Sequence, residues 1–235
     1  MSREARPPLP LPAPLPLVPP PSFADELARL GVTLDDQKIA LLGDYLARLL
    51  AMNELLNLTA IREPSEAWTR HAVDALSLLP HLAHLAELAH LPARARLLDI
   101  GSGGGVPGIV VAIARPDLDV VLVESTQKKA AFLADVSEAI GLTNVEVIAD
   151  RAEALHDTDL AESFDVVTAR AVAKIEALVP WTAPFAKTGG HLLFIKGERA
   201  PEELRAAKRV LAKFYCTHER TVVGSTGRVV VLKVG

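Results

Sequence analysis

Two carboxylates and a run of glycines set the chemistry this chain could carry. Asp99 precedes Gly101, Gly103, Gly104 and Gly105, and Glu124 follows one helix and one strand later. Glycines at that density let a chain turn through left-handed angles and let a ligand touch bare backbone. A carboxylate offers two acceptors to two hydroxyls, such as the neighbouring pair of a ribose. These residue types point to a nucleoside held across a turn, with one acid for the sugar and one for a positively charged group.

The flanking sequence supplies the elements such a site needs. Leu97, Leu98 and Ile100 form a short apolar run, as expected for a strand buried on both faces of a parallel sheet. Pro107 suits a first helical position, so a helix is predicted to start at Val106 or Pro107, run to about Ala114 and stop at Pro116. Val120 to Val123 make a second buried strand that ends in Glu124. This order is a nucleotide-binding βαβ unit. Gly103, Gly105 and Gly108 match G-x-G-x-x-G, and Glu124 lies near the ribose-acid position of a dinucleotide site. NAD nevertheless ranks second. Pro107 removes an N–H that a pyrophosphate would use, and Asp99 at the strand tip would repel a diphosphate but hold an ammonium group. A ligand with an amino-acid end and a ribose end suits both acids, and S-adenosylmethionine is that ligand. Asp99-x-Gly101-x-Gly103-x-Gly105 followed by Glu124 then resembles the first two motifs of class I methyltransferases.

The alternation of strands and helices continues. Lys128 to Ile140 reads as a helix closed by Gly141, and Asn144 to Ala149 as a third strand. Phe164 to Thr168 is a fourth strand, Ile175 to Phe185 a helix, His191 to Ile195 a fifth strand, and Pro201 to Lys213 a charged amphipathic helix. Thr217 to Val223 and Arg228 to Val234 form a closing hairpin. A dinucleotide fold would continue with parallel strands instead. Ligands of open α/β sheets lie across the carboxyl ends of the strands. That places Asp150, Arg151, Ala152 and Glu153 after strand three, suited to an adenine edge, and Arg170 after strand four, beside the reacting methyl. Lys128, Lys129, Lys174, Lys196 and Arg199 also follow strands or open helices, and together with Arg170 could ring one mouth for RNA.

Absences narrow the methyl acceptor. Exocyclic amines usually call for Asn/Asp-Pro-Pro-aromatic after strand four, where this chain has Thr168-Ala169-Arg170-Ala171. Pyrimidine C5 chemistry needs a cysteine nucleophile, and Cys216 lies far along the chain. No acid or histidine stands at the strand-four tip as a base. An acceptor with a free lone pair and no proton to lose fits, and guanine N7 is such an atom.

The single cysteine cannot form an internal disulfide, which suits a reducing, cytoplasmic setting. A net charge of -4 gives no global basic field, so any RNA binding must come from a local patch. Nine of the 17 prolines fall within residues 1–22, too dense for helix or ladder, and predict an extended or disordered tail outside the fold. They would also break the apolar helix of a signal peptide, and no apolar run approaches membrane-spanning length. From Ser22 to about Pro92 the pattern is helical. Ser22 can cap a short helix ended by Gly31, and Ile39, Leu42, Leu46, Leu49, Leu50 and Leu56 mark one face of a long helix. Pro64 and Ser65 open another helix, which carries Trp68 and His71. His81, His84 and His90 fall near one face, but their alternation with Leu and Ala reads as an amphipathic segment rather than a metal site.

From about Ser22 to Val234 the chain resembles the RsmG (GidB) family of 16S ribosomal RNA guanine-N7 methyltransferases. The resemblance rests on Asn57-Leu58-Thr59, Arg70-His71-x-x-Asp74, Asp99-Ile100-Gly101-Ser102-Gly103-Gly104-Gly105-Val106-Pro107-Gly108, Arg151-Ala152-Glu153, Ala169-Arg170-Ala171 and Lys196-Gly197. It implies cofactor contacts at Gly101, Val106, Ala152, Glu153 and Arg170, which join Asp99, Gly103 and Glu124. It also implies an α/β fold: a Rossmann-like doubly wound sheet with a C-terminal antiparallel hairpin (residues 93–235), preceded by a helical extension (23–92) and the proline-rich tail (1–22). The expected activity is methyl transfer from S-adenosylmethionine to N7 of a guanine in 16S ribosomal RNA, free or in the small ribosomal subunit. Arg170 would be the catalytic residue, and Asn57, Thr59, Arg70, His71 and Lys196 would bind RNA. The expected protein is a monomer without membrane contact or metal. A methyltransferase of the same fold acting on a small molecule or protein is the alternative, ahead of an NAD-binding enzyme.

Overall fold

The computed structural model describes residues 9–87 and 94–235. Its centre is one seven-stranded sheet in the order β3-β2-β1-β4-β5-β7-β6. The strands are β1 (Arg96–Ile100), β2 (Asp119–Val123), β3 (Val145–Ile148), β4 (Phe164–Arg170), β5 (Ala186–Lys196), β6 (Cys216–Val223) and β7 (Arg228–Val234). β1 to β5 pair in parallel, whereas β7 runs antiparallel between β5 and β6. The chain leaves β1 toward β2 and β3, then returns to β4 and β5 on the other side. That reversal makes a switch point outside the carboxyl ends of β1 and β4.

Side chains alternate across a strand, so each apolar run divides between the two faces of the sheet. Leu97, Val120, Leu122 and Val166 belong to one core cluster, and Leu98, Val121, Val123 and Val167 to another. The first face is covered by the N-terminal helices and by the two helices that follow β1 and β2. α1 (Ser22–Leu30), α2 (Asp36–Leu56), α3 (Pro64–Ala67), a π-helical turn (Trp68–Val73), α4 (Asp74–Leu76) and α5 (Leu79–Glu87) precede the sheet. α6 (Gly108–Ala114) and α7 (Gln127–Ala139) follow β1 and β2. Tyr45, Trp68, Ile109, Phe132 and Leu133 share the first cluster, so the helical extension and the sheet are packed into one core. The expected division at residues 92 and 93 lies outside the described residues. α8 (Ile175–Thr182), α9 (Ala200–Ala206) and α10 (Lys208–Lys213) cover the second face, so the single helix expected from Pro201 to Lys213 is two, meeting at Ala207.

Three sequence expectations change. Ser22 makes no cap bond and α1 follows Pro21, although Gly31 does close it in a left-handed conformation. α6 begins at Gly108, after a cis Val106–Pro107 peptide, with Pro107 as the capping residue. The tail, expected to lie outside the fold, is packed over its described part. Leu9, Leu11 and Leu17 lie against the first core cluster. Leu17 N–H donates to Gly43 O at 3.0 Å, and Leu9 N–H donates to Asp135 Oδ2 at 2.7 Å. Prolines deny a strand or helix but not an extended strap, and leucines between them supply contact. No helix among the described residues is long and apolar enough to cross a membrane.

Candidate active site

Two adjoining hollows open at the carboxyl ends of the strands. One, of about 250 Å³, is bounded by Ile100 and Val123 at the tips of β1 and β2, by residues 150–153 after β3, and by Trp181. It brings Gly101, Ala152 and Glu153 together. The other, of about 530 Å³, contains the glycine turn, Val106, Glu124 and Arg170, and adds Thr59, Arg70 and His71 from the helical extension. Gly101, Ser125 and Val172 line both, so they form one continuous cleft.

The glycines of the turn have unlike tasks. Gly101 and Gly103 adopt φ of 70° and 57°, angles that a side chain opposes. Open space lies where a Cβ of Gly103 would stand, its nearest neighbour being Gly101 O at 3.8 Å. A Cβ on Gly105 would instead lie 2.6 Å from Ile109 and 3.0 Å from the Tyr45 hydroxyl, and one on Gly108 would lie 2.2 Å from Leu122. Gly105 and Gly108 are therefore small so that the core can close beneath the turn. Tyr45, which the sequence reading missed, donates to Gly104 O at 2.8 Å and ties α2 to the turn.

Glu124 is buried and holds the turn from the side. Its Oε2 accepts from Gly103 N–H at 2.9 Å and its Oε1 from Thr126 N–H at 2.7 Å. Each oxygen keeps a further lone pair for a hydroxyl. Asp99 requires a correction, because it lines neither hollow. Its Oδ2 accepts from Gly108 N–H at 3.1 Å, taking one of the donors that a helix start leaves unpaired, and its Oδ1 has no hydrogen-bond partner among the described residues. Burial pushes its carboxyl up to about 7, against the Gly108 N–H that favours the charged form.

Arg170 ends β4 and anchors the opposite wall. Its Nη1 lies 3.3 Å from His71 Nδ1, and its Nη2 lies 3.7 Å from Asp74 Oδ2. Arg70 Nε approaches the same carboxylate oxygen at 3.9 Å. A guanidinium only donates, so His71 Nδ1 must accept and the ring proton sits on Nε2. Nε2 then donates to Thr59 Oγ1 at 3.0 Å, which also accepts from Ile61 N–H at 3.1 Å. With both lone pairs of that oxygen engaged, the Thr59 hydroxyl hydrogen is left for the hollow. Thr59 is itself fixed by its own N–H, which donates to Asn53 Oδ1 at 2.8 Å. Burial, and then the charge of Arg170, pushes His71 down to about 4. Burial raises the Asp74 carboxyl, with Arg170 and Arg70 opposing, and lowers Arg170, with Asp74 opposing. His71 and Asp74 do not pair with each other; both converge on Arg170. Asp74 was missed as a site residue, although Arg70-His71-x-x-Asp74 places Arg70 and Asp74 one turn apart on a helical face.

Two expected RNA contacts point elsewhere. Lys196 Nζ is buried, donating to Ala173 O at 2.7 Å and pairing with Glu203 Oε2 at 2.8 Å. It locks the loop after β4, because a buried ammonium must find acceptors locally. Asn57 closes α2 in a left-handed conformation, with φ 49° and ψ 55°, and lines neither hollow. Of the expected basic ring, Lys129 and Arg170 line the cleft, while Lys128, Lys174 and Arg199 do not. His90 lies outside the described residues.

The residues present fit S-adenosylmethionine. Ile100, Val123 and Trp181 beside the backbone of residues 150–153 suit a flat adenine, Glu124 retains acceptors for a ribose, and Gly103 leaves room next to it. The antiparallel β7 between β5 and β6 departs from a dinucleotide fold. A point mutant of MtNAS in complex with S-adenosylmethionine shares the fold with a TM-score of 0.54, at 18% identity over 90% of this chain and 83% of that chain. The sequence pattern of the GidB family, rRNA small subunit methyltransferase G, matches residues 38–231. A ribosomal RNA small subunit methyltransferase G of Sorangium cellulosum is 55% identical over 233 residues, covering 99% of this chain and 95% of that protein. A protein of the same name from Chromobacterium violaceum is 41% identical over 178 residues, covering 76% of this chain and 79% of that protein. By the match over its sheet, its glycine turn and its helical extension alike, this chain belongs to the GidB family of rRNA small subunit methyltransferase G proteins.

Proposed function

We propose that this chain transfers a methyl group from S-adenosylmethionine to N7 of a guanine in 16S ribosomal RNA. The observation that carries the reading is the wall made by Arg170, His71 and Thr59, which presents donors to the cleft and no free base. S-adenosylmethionine supplies a methyl on a positively charged sulfur, open to attack by a lone pair. Ala152, Glu153, Glu124, Gly101, Gly103 and Val106 hold and orient it. Arg170 remains protonated and cannot take a proton. His71 has its Nδ1 lone pair committed to Arg170, and at about 4 it is too weak a base near neutrality. Chemistry at this wall therefore needs an acceptor with no proton to lose, and guanine N7 meets that need. The O6 and N7 edge of guanine offers two acceptors, whereas adenine places an amino group beside N7. The Thr59 hydroxyl and Arg170 both donate, so they favour guanine and oppose adenine. Arg170 reaches O6, a phosphate or the cofactor rather than N7, whose lone pair must stay free.

Arg70 extends this wall outward to RNA. A single chain acting as a monomer in a cytoplasmic setting completes the reading. The direct test is transfer from labelled S-adenosylmethionine to small-subunit rRNA, followed by borohydride and aniline cleavage at N7-methylguanine. One labelled guanine is expected. Label in a pyrimidine or an adenine, or only in protein, would overturn the proposal.

A further inference from the structure

Arg220 lies in β6, where the register with β7 shifts between His218 and Arg220. Its Nε and Nη2 both sit 3.4 Å from one atom, Nδ1 of His81. A neutral imidazole nitrogen offers one lone pair, so two donors share it at long range. His81 is uncharged near neutrality, since burial, and then the charge of Arg220, pushes it down to about 4. No carboxylate pairs with Arg220 among the described residues, and the adjacent Glu219 turns to His191 at 3.4 Å. The Nε–Nη2 edge is thus taken by His81, and the Nη1–Nη2 end of the guanidinium is the fork left to meet two phosphate oxygens, its charge without a carboxylate partner.

The fork borders a groove of about 450 Å³ whose walls include Arg29, His84, Val222 and Val223 but no acid. Arg29 is paired with Glu26 at 3.1 Å, which leaves Arg220 as the principal positive charge. Such a wall is local in a chain of net charge -4. The sheet register also fixes its place relative to the cleft. Arg170 pairs with Ile195, Ile195 with Val229, and Val229 with Val222. Val222 therefore lies three strand spacings from Arg170 along one row, about 15 Å at ~4.8 Å per strand. Both stand at the carboxyl edge of the sheet. A small hollow that borders Asp74 shares Leu30, Ser77 and Gly224 with the groove, so the two surfaces are neighbours.

We infer that this groove holds the phosphate backbone of the substrate RNA a few nucleotides from the reacting base, with the Arg220 fork as the main contact. The inference rests on the reading of the chain as an RNA methyltransferase. Full-length Arg220→Glu, Arg220→Gln and Arg220→Lys proteins test it, with small-subunit rRNA as the probe in filter binding and in methylation. Arg220→Gln should raise the RNA dissociation constant and KM about tenfold, the size of one lost charged hydrogen bond. It should also reduce the salt slope of binding by about one. Arg220→Lys should fall between Arg220→Gln and the parent, and turnover at saturation and S-adenosylmethionine affinity should stay at parental values. Arg220→Gln keeps a donor for His81, so it reports even if Arg220→Glu fails to fold. Parental RNA affinity and salt slope in a folded Arg220→Gln protein would overturn the inference, as would a loss confined to turnover or cofactor affinity. Failure of the parent enzyme to methylate the RNA would count against the proposed function instead.

Discussion

The two halves of the cleft are built in different ways. The smaller hollow is made by strand tips and the backbone after β3, all within the sheet and its connections. The larger is closed by side chains from three distant segments, Thr59 before α3, His71 in the π-helical turn and Arg170 at the end of β4. Backbone and shape hold one; a network of directed bonds holds the other. Such a network fails when one member is removed, because the remaining buried groups lose their partners. Single substitutions should therefore damage the second hollow far more than the first.

Arg170 gives the largest expected effect. Arg170→Ala removes the partner of both His71 and Asp74 and should cut turnover by about 10²–10³-fold, the range for losing one preorganised electrostatic contact. Arg170→Lys should recover only part of this, since an ammonium is a point charge without the planar fork. Single-turnover kinetics alongside calorimetry with S-adenosylmethionine checks the contrast. If cofactor affinity collapses as far as turnover does, the two hollows are one unit and the comparison fails.

Glu124 lies nearer the boundary and should give a smaller loss. Glu124→Gln turns one acceptor into a donor that faces either Gly103 N–H or Thr126 N–H. S-adenosylmethionine affinity should fall by roughly 1–3 kcal/mol. Unchanged affinity in calorimetry would mean that the ribose lies away from β2.

The same contrast explains what was legible in the sequence. The first hollow is lined mainly by residues at and just after successive strand tips, so Gly101, Ala152 and Glu153 could be placed by counting strands. The second depends on contacts such as Thr59 with His71 and His71 with Arg170, and no periodicity reports which distant side chains meet. Thr59, His71 and Arg170 were therefore identifiable as residues but not as one network. Asp99 misled because its strand-tip position suits a ligand, while the helix start beside it takes the carboxylate first. Lys196 misled in the same way, since the acceptors that hold it, Ala173 O and Glu203, come from the loop after β4 and from α9.

Titration should sharpen the difference further. His71 and His81 are held at about 4, below their ordinary range, so the unfolded chain binds more protons than the native one between about pH 4 and 6.5. Asp99, raised to about 7, acts oppositely across about pH 4 to 7, where the native state keeps a proton that the unfolded state has lost. Asp74, also raised by burial, acts in the same sense as Asp99, so the two carboxyls offset part of what the two histidines contribute across this range. Melting temperatures from pH 4 to 7 check the signs: Asp99→Asn should make stability rise more steeply with pH than in the parent. The rate should stay flat from pH 6 to 8, because Asp99 is sealed from the cleft and His71 is already neutral. A steep rise that disappears in one acid or histidine variant would reveal a general base and a different acceptor atom.

The smallest effect is expected at Asn57, and it separates a contact from a cap. Asn57 was expected to bind RNA, yet its backbone closes α2 in a left-handed conformation outside both hollows. Glycine reaches that conformation without a Cβ penalty, so Asn57→Gly should change stability by no more than a few tenths of a kcal/mol. Asn57→Ala should cost about 1–2 kcal/mol, because alanine resists left-handed angles. If the residue only caps the helix, Asn57→Gly should methylate small-subunit rRNA like the parent, and Asn57→Ala should lose melting temperature before it loses KM. A raised KM in Asn57→Gly at an unchanged melting temperature would show the amide touching RNA, and would extend the nucleic-acid surface beyond the Arg170 wall to the end of α2.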